Sequence, residues 1–126
     1  MVYFHFAFLG DESVWAAEAA ECAGEQDAFW DYYDYLFSHQ NGENQGAFSI
    51  DNLKIFASAL ELDTDAFNEC LDSGRYAVMV QNMTDIARQL GVQSTPTFVI
   101  NGQGVVGAKD FSEFAAIIDS FLTVAP

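Results

Sequence analysis

Gly91-Val92-Gln93-Ser94-Thr95-Pro96-Thr97-Phe98-Val99-Ile100-Asn101-Gly102-Gln103-Gly104-Val105-Val106 decides the architecture of this chain. Gly91 stands where a helical pattern stops, at the position where glycine closes a helix. Thr95-Pro96 forces a turn, Thr97 to Ile100 is a β-rich run, and Asn101-Gly102 is a hairpin signal leading into Val105-Val106. The stretch therefore reads as a helix end, a proline loop and a β-hairpin. An X-Pro bond before a strand adopts the cis form at little cost, because the tertiary amide cuts the trans preference to about 0.5–1 kcal/mol. A cis bond here would leave the N–H and C=O of Thr95 facing outward and free.

Working outward, a helix is expected over residues 75–90, with Tyr76, Met79, Met83, Ile86, Ala87 and Leu90 inward. Beyond the hairpin, Asp110 with Glu113 gives a capping-box-like start to a last helix with Phe111, Phe114, Ala115, Ile118, Phe121 and Leu122 inward. Upstream, residues 2–8 alternate as a strand, Val2, Phe4, Phe6 and Phe8 on one face and Tyr3, His5 and Ala7 on the other. Asp11 or Ser13 is the expected N-cap of a helix that places Trp15, Ala19, Cys22 and Ala23 on one face. Residues 26–38 form an amphipathic helix with Phe29, Trp30, Tyr33, Leu36 and Phe37 inward and Asp31 and Asp34 outward. Residues 39–47, rich in Gly, Asn and Gln, read as a mobile surface loop. Ser49 then caps a helix carrying Leu53, Phe56, Ala57 and Leu60, and Asp63 or Thr64 caps one carrying Phe67, Cys70 and Leu71 up to Gly74.

Composition bounds the partners. In 126 residues, only four Lys/Arg stand against 19 Asp/Glu, a formal charge of −15. Such a surface repels phosphate backbones and offers no basic patch to anionic lipid, so no nucleic acid partner is expected. No apolar run is long enough to span a bilayer and the start lacks the basic region of a signal peptide, so no membrane insertion and no targeting segment are expected. Two carboxylates three residues apart, Asp31 and Asp34, fall short of the ligand number calcium needs, and neither a metal nor another cofactor is expected.

The run Leu90 to Gly102, together with Ala16-Ala17-Glu18-Ala19-Ala20-Glu21-Cys22-Ala23 and Phe29-Trp30, resembles the DsbA-like family of thioredoxin-fold thiol-disulfide oxidoreductases. The resemblance implies an α/β thioredoxin-like fold over residues 1–126. Residues 12–74 would be its helical insertion, and residues 1–9 and 75–126 its thioredoxin-like part. It also implies that Thr95 and Pro96 form the substrate-side wall, offering backbone hydrogen bonds to an extended peptide or thiol protein. Family members place a strand and a helix bearing Cys-x-x-Cys before the strand at residues 2–8, and that N-terminal βα unit is missing from this sequence. Without it the neighbouring strands would carry unpaired backbone, so residues 2–8 are expected to lie beside residues 97–101 or to pair between two chains of a homodimer.

Cys22 and Cys70 are the chain's two cysteines. Two ligands cannot close a zinc site, and apolar helix faces suit packing or a staple better than catalysis. A structural disulfide, buried free thiols and a redox pair stay open on this reading. The family is exported, so the resemblance implies a periplasmic or other extracytoplasmic, oxidising setting. Two functions follow: a DsbA-like domain that is redox-inactive as this chain because the Cys-x-x-Cys is absent, with no catalytic residue assigned, or a degenerate thioredoxin-like scaffold or protein-binding module with no redox role.

Overall fold

The computed structural model describes residues 1–122, so positions 123–126 of the expected thioredoxin-like part lie outside the described residues. The elements run α1 (Asp11–Gly24), α2 (Phe29–Ser38), α3 (Ile50–Ala59), α4 (Thr64–Asp72), α5 (Ala77–Gln89), β1 (Thr97–Ile100), β2 (Gln103–Val106) and α6 (Phe111–Leu122). Contacts divide the chain into two compact units, Met1–Ala87 and Arg88–Pro126, with the boundary inside α5.

The first unit is built around α1. Its alanines keep it slender, so α2, α3 and α4 all pack against it. Ala19, Ala23, Tyr32, Leu53, Ala57 and Phe67 have no exposed surface. Burying each of the larger side chains contributes about 1.5–3 kcal/mol before chain entropy is counted. The expected caps of α3 and α4 are in place: Ser49 Oγ accepts from the Asn52 N–H at 3.2 Å, and Asp63 Oδ1 accepts from the Ala66 N–H at 3.2 Å. Each satisfies one of the orphan donors of a helix start.

Several expectations are corrected here. Residues 2–8 form no strand, because among the described residues the sheet contains only β1 and β2. They do not lie beside residues 97–101 in that sheet. Burial does not follow the alternation: His5 is buried, Val2, Tyr3 and Phe4 are exposed, and Phe6, Ala7 and Phe8 are half-buried. His5 Nε2 meets Glu21 Oε1 at 2.8 Å, and the Ala7 N–H donates to Thr84 Oγ1 at 3.1 Å, so side chains rather than a ladder hold this segment. The N-cap of α1 is Gly10, at φ 108°, with no side-chain cap. That φ is one L side chains rarely adopt, and a Cβ there would also meet the Asn44 amide at 2.5 Å, so glycine is favoured.

On α2 the buried residues are Tyr32 and Leu36, whereas Trp30 and Phe37 are exposed. The reason is polar: Tyr32 carries a hydroxyl that donates to the Leu53 carbonyl at 2.8 Å, so this ring enters the core with its donor satisfied. On α5 the inward set is Val80, Thr84 and Ala87, with Met79, Ile86 and Leu90 exposed. On α6 no residue is buried, and Phe111 and Leu122 are largely exposed.

Candidate functional site

The second unit carries the proline loop. Gly91, at φ 87°, closes the helical run, and its N–H donates to the Arg88 carbonyl at 3.0 Å. The Thr95–Pro96 bond is cis. Two hydrogen bonds set the loop on the hairpin: the Gly107 N–H donates to the Pro96 carbonyl at 2.8 Å, and Thr97 Oγ1 donates to the Ser94 carbonyl at 2.7 Å. β1 and β2 pair antiparallel, Thr97 opposite Val106 and Ile100 opposite Gln103, around a turn with positive φ at both Asn101 (49°) and Gly102 (86°). That is the hairpin turn the Asn-Gly dipeptide favours.

The register sorts the side chains. Phe98 and its partner Val105 share one face, where Phe98 packs edge-on to Phe114 of α6 at 4.9 Å and Val105 is buried. Thr97, Val99, Gly104 and Val106 take the other face, and with Leu90 and Val92 they line a hollow of about 270 Å³. Thr95 and Pro96 are both exposed beside it. Among the described residues neither the N–H nor the C=O of Thr95 is hydrogen-bonded. The loop therefore presents a free backbone donor and acceptor next to an apolar hollow, an arrangement that can hold an extended chain by main-chain pairing.

The two cysteines are in the other unit and are joined. Cys22 and Cys70 form a disulfide with Cα atoms 5.8 Å apart, and each residue is 1 % exposed. Cys22 lies in the last turn of α1 and Cys70 in the last turn of α4. A catalytic thiolate is favoured at the opposite, N-terminal end, where free N–H groups and the helix dipole stabilise negative charge. Cys22 and Cys70 are buried and stand at the C-terminal ends of their helices instead. Just outside it, Arg75 Nη1 donates to both Glu25 oxygens, at 2.5 and 2.8 Å, and Tyr76 donates to the same carboxylate at 3.1 Å. The Arg75 hydrogen bond holds the Glu25 carboxyl below its ordinary range.

Sequence reasoning passed over three features. The first is Glu12, 7 % exposed, whose carboxylate accepts from the Gly46 N–H at 3.1 Å and the Phe48 N–H at 2.8 Å. The loop read as mobile is thereby tied to the start of α1, and only the acid in the first helical turn hinted at it. The second is the cluster of partly exposed rings around Trp30, which the helical pattern had turned inward. The third is the hollow on the hairpin. Among the described residues no group of three or more His, Cys, Asp or Glu is placed to hold a metal, and no helix is long and apolar enough to cross a membrane.

Comparison with known proteins fits this geometry. A family model described as Thioredoxin matches residues 1–120. The Na(+)/H(+) antiporter NhaA 1 of Salinispora arenicola is 41 % identical over 105 residues, which cover 83 % of this chain and 15 % of that protein. Disulfide bond formation protein D of Bacillus subtilis is 27 % identical over 127 residues, covering 96 % of this chain and 54 % of that protein. The chain thus spans a small part of the first and about half of the second. Among solved structures, the thiol-disulfide exchange protein alpha-DsbA2 from Wolbachia pipientis superposes with a TM-score of 0.80 at 25 % identity, over 95 % of this chain and 64 % of that one. A thioredoxin-like oxidoreductase from Silicibacter pomeroyi DSS-3 gives a TM-score of 0.79 at 22 % identity, over 98 % and 69 %.

Proposed function

The chain belongs to the thioredoxin family, and from this premise we propose that it is the peptide-holding part of a DsbA-like thiol-disulfide oxidoreductase, redox-inactive as these 126 residues stand. The observation that carries the reading is the unpaired backbone of Thr95 beside Pro96 and the apolar hollow. An extended substrate segment pairs with the Thr95 N–H and C=O while an apolar side chain enters the hollow between Leu90, Val99 and Val106. The reacting thiol is supplied from outside these residues, since Cys22 and Cys70 are the only cysteines in them and both are locked in the buried bond. A disulfide of this kind persists in an oxidising compartment, which agrees with an extracytoplasmic setting.

The test is an NMR titration with an extended apolar peptide and with the same peptide N-methylated at alternate residues. The unmodified peptide is expected to shift the amides of residues 94–97 and the N-methylated one to lose binding; equal binding of the two refutes main-chain pairing. Insulin reduction by the chain alone is expected to show no turnover, and measurable turnover would reject redox-inactivity.

A second reading has its own support. The likeness to part of a protein named as an antiporter favours a thioredoxin-like module that serves as a scaffold or binding domain with no redox role. Binding of unmodified peptides without any preference for cysteine-containing ones would favour it. A homodimer through residues 2–8 is a separate proposal, and a light-scattering mass of one chain rejects it.

A further inference from the structure

On the first unit, α2 turns an aromatic stripe outward. At 100° per residue, Tyr33, Phe37 and Trp30 fall within about 60° of one another, with Asp34 next in the series and Asp31 beyond it. Trp30 is 46 % exposed, Phe37 53 % and Tyr3 36 %. These rings are not loose side chains. Tyr3 meets Trp30 edge-on at 6.0 Å and Tyr33 at 5.1 Å, Trp30 meets Tyr33 at 5.2 Å, and Tyr33 meets Phe37 at 4.7 Å. The stripe is therefore held in place before anything binds, which lowers the ordering cost of using it.

We infer that this stripe docks an arginine-containing basic segment of a partner protein. Charge selects the occupant. Asp31 and Asp34 make no ion pair among the described residues, while Lys54 is engaged by Asp72, Arg75 by Glu25 and Lys109 by Glu113. A second copy of the chain would bring a formal −15 against −15, and nucleic acid or anionic lipid would be repelled in the same way. An approaching cation is attracted by the whole surface and is best held where π-faces and carboxylates adjoin. A guanidinium suits that junction better than an ammonium, because it stacks flat on an indole while its fork donates to a neighbouring carboxylate. The site shares no residue with the Thr95 loop, so it stands whatever the fate of the reading above.

The experiment titrates the full chain with a short Arg-rich peptide, its Lys counterpart, and an uncharged apolar peptide of equal length, following backbone amides by NMR. Shifts are expected in residues 30–37, with the Arg peptide bound more tightly than the Lys peptide. Trp30→Leu, which keeps an apolar side chain and removes the π-face, is expected to weaken Arg-peptide binding about three- to thirty-fold. Asp31→Asn with Asp34→Asn is expected to weaken it more than Asp51→Asn with Asp65→Asn, a pair of exposed carboxylates on α3 and α4. Equal losses for the two double variants, or no loss for Trp30→Leu in a chain that keeps its far-UV spectrum, would overturn the inference in favour of diffuse charge attraction. Equal binding of the apolar peptide at the same residues would overturn it in favour of a merely apolar contact.

Discussion

Removing the bond between Cys22 and Cys70 is the sharpest test of how the helical unit is held together. The two residues are 48 positions apart, so the bond closes a loop that spans α2, α3 and most of α4. In the chain-entropy account a loop of that length restricts the unfolded ensemble by about 4 kcal/mol at 25 °C. Typical domains are stable by about 5–15 kcal/mol, so this is a large fraction of the total. For a unit of under a hundred residues it corresponds to roughly 15–30 °C in Tm. The assay is urea denaturation of the native chain and of Cys22→Ala/Cys70→Ala, read by tryptophan fluorescence and far-UV circular dichroism. The variant is expected to lose about 4 kcal/mol. Its m-value should rise, because its unfolded chain is less compact. A loss below about 1 kcal/mol refutes the loop-closure reasoning, and a full loss with unchanged m moves the effect into native packing. With both cysteines 1 % exposed, dithiothreitol is expected to reduce the bond only as fast as the unit opens, so the rate should climb with urea.

Tyr32→Phe is expected to cost about 1 kcal/mol, the net worth of the hydroxyl's bond to the Leu53 carbonyl, and a neutral change in urea midpoint would contradict that role. Glu12→Ala leaves the Gly46 and Phe48 amides without their acceptor; hydrogen exchange at those two sites should accelerate at least tenfold while Phe67 keeps its protection. Burial pushes the Glu18 carboxyl above its ordinary value. The native state therefore binds this proton more tightly than the unfolded one, and stability is lost as pH rises from the unfolded pKa through the raised folded one. Glu18→Gln should consequently stabilise the chain at pH 7 and lose that advantage below pH 4, and a gain independent of pH would dismiss the burial argument.

How much of this was legible depended on whether a local pattern needed a distant partner. The caps at Ser49 and Asp63, the Asn101-Gly102 hairpin and the packed faces of α3 and α4 involve neighbours a few residues apart, and they stand where the sequence put them. Residues 2–8 alternate as a strand does, yet a strand exists only with a second strand beside it, and here His5 and Ala7 find side-chain partners instead. α2 is aromatic on nearly every side, so periodicity alone could not choose between Trp30 and Tyr32. The choice followed from which ring had a polar group to satisfy inside. The proline loop was legible as chain geometry, but the hollow beside it depends on Leu90 and Val92 meeting β1 and β2, and no spacing rule announces that.

The face of the hairpin opposite α6 has a consequence for how the protein behaves in bulk. Val99 and Val106 are 70 % and 63 % exposed on the same face of a ribbon that, among the described residues, has two strands. Such a ribbon is adhesive, and at neutral pH long-range repulsion between like-charged particles opposes sticking. That repulsion shrinks to about 3 Å of reach in 1 M salt and vanishes as the solution approaches the isoelectric point near pH 4.1. The chain's colloidal stability is therefore a property of its carboxylates, and brine or mild acid should cloud a solution whose fold is still intact.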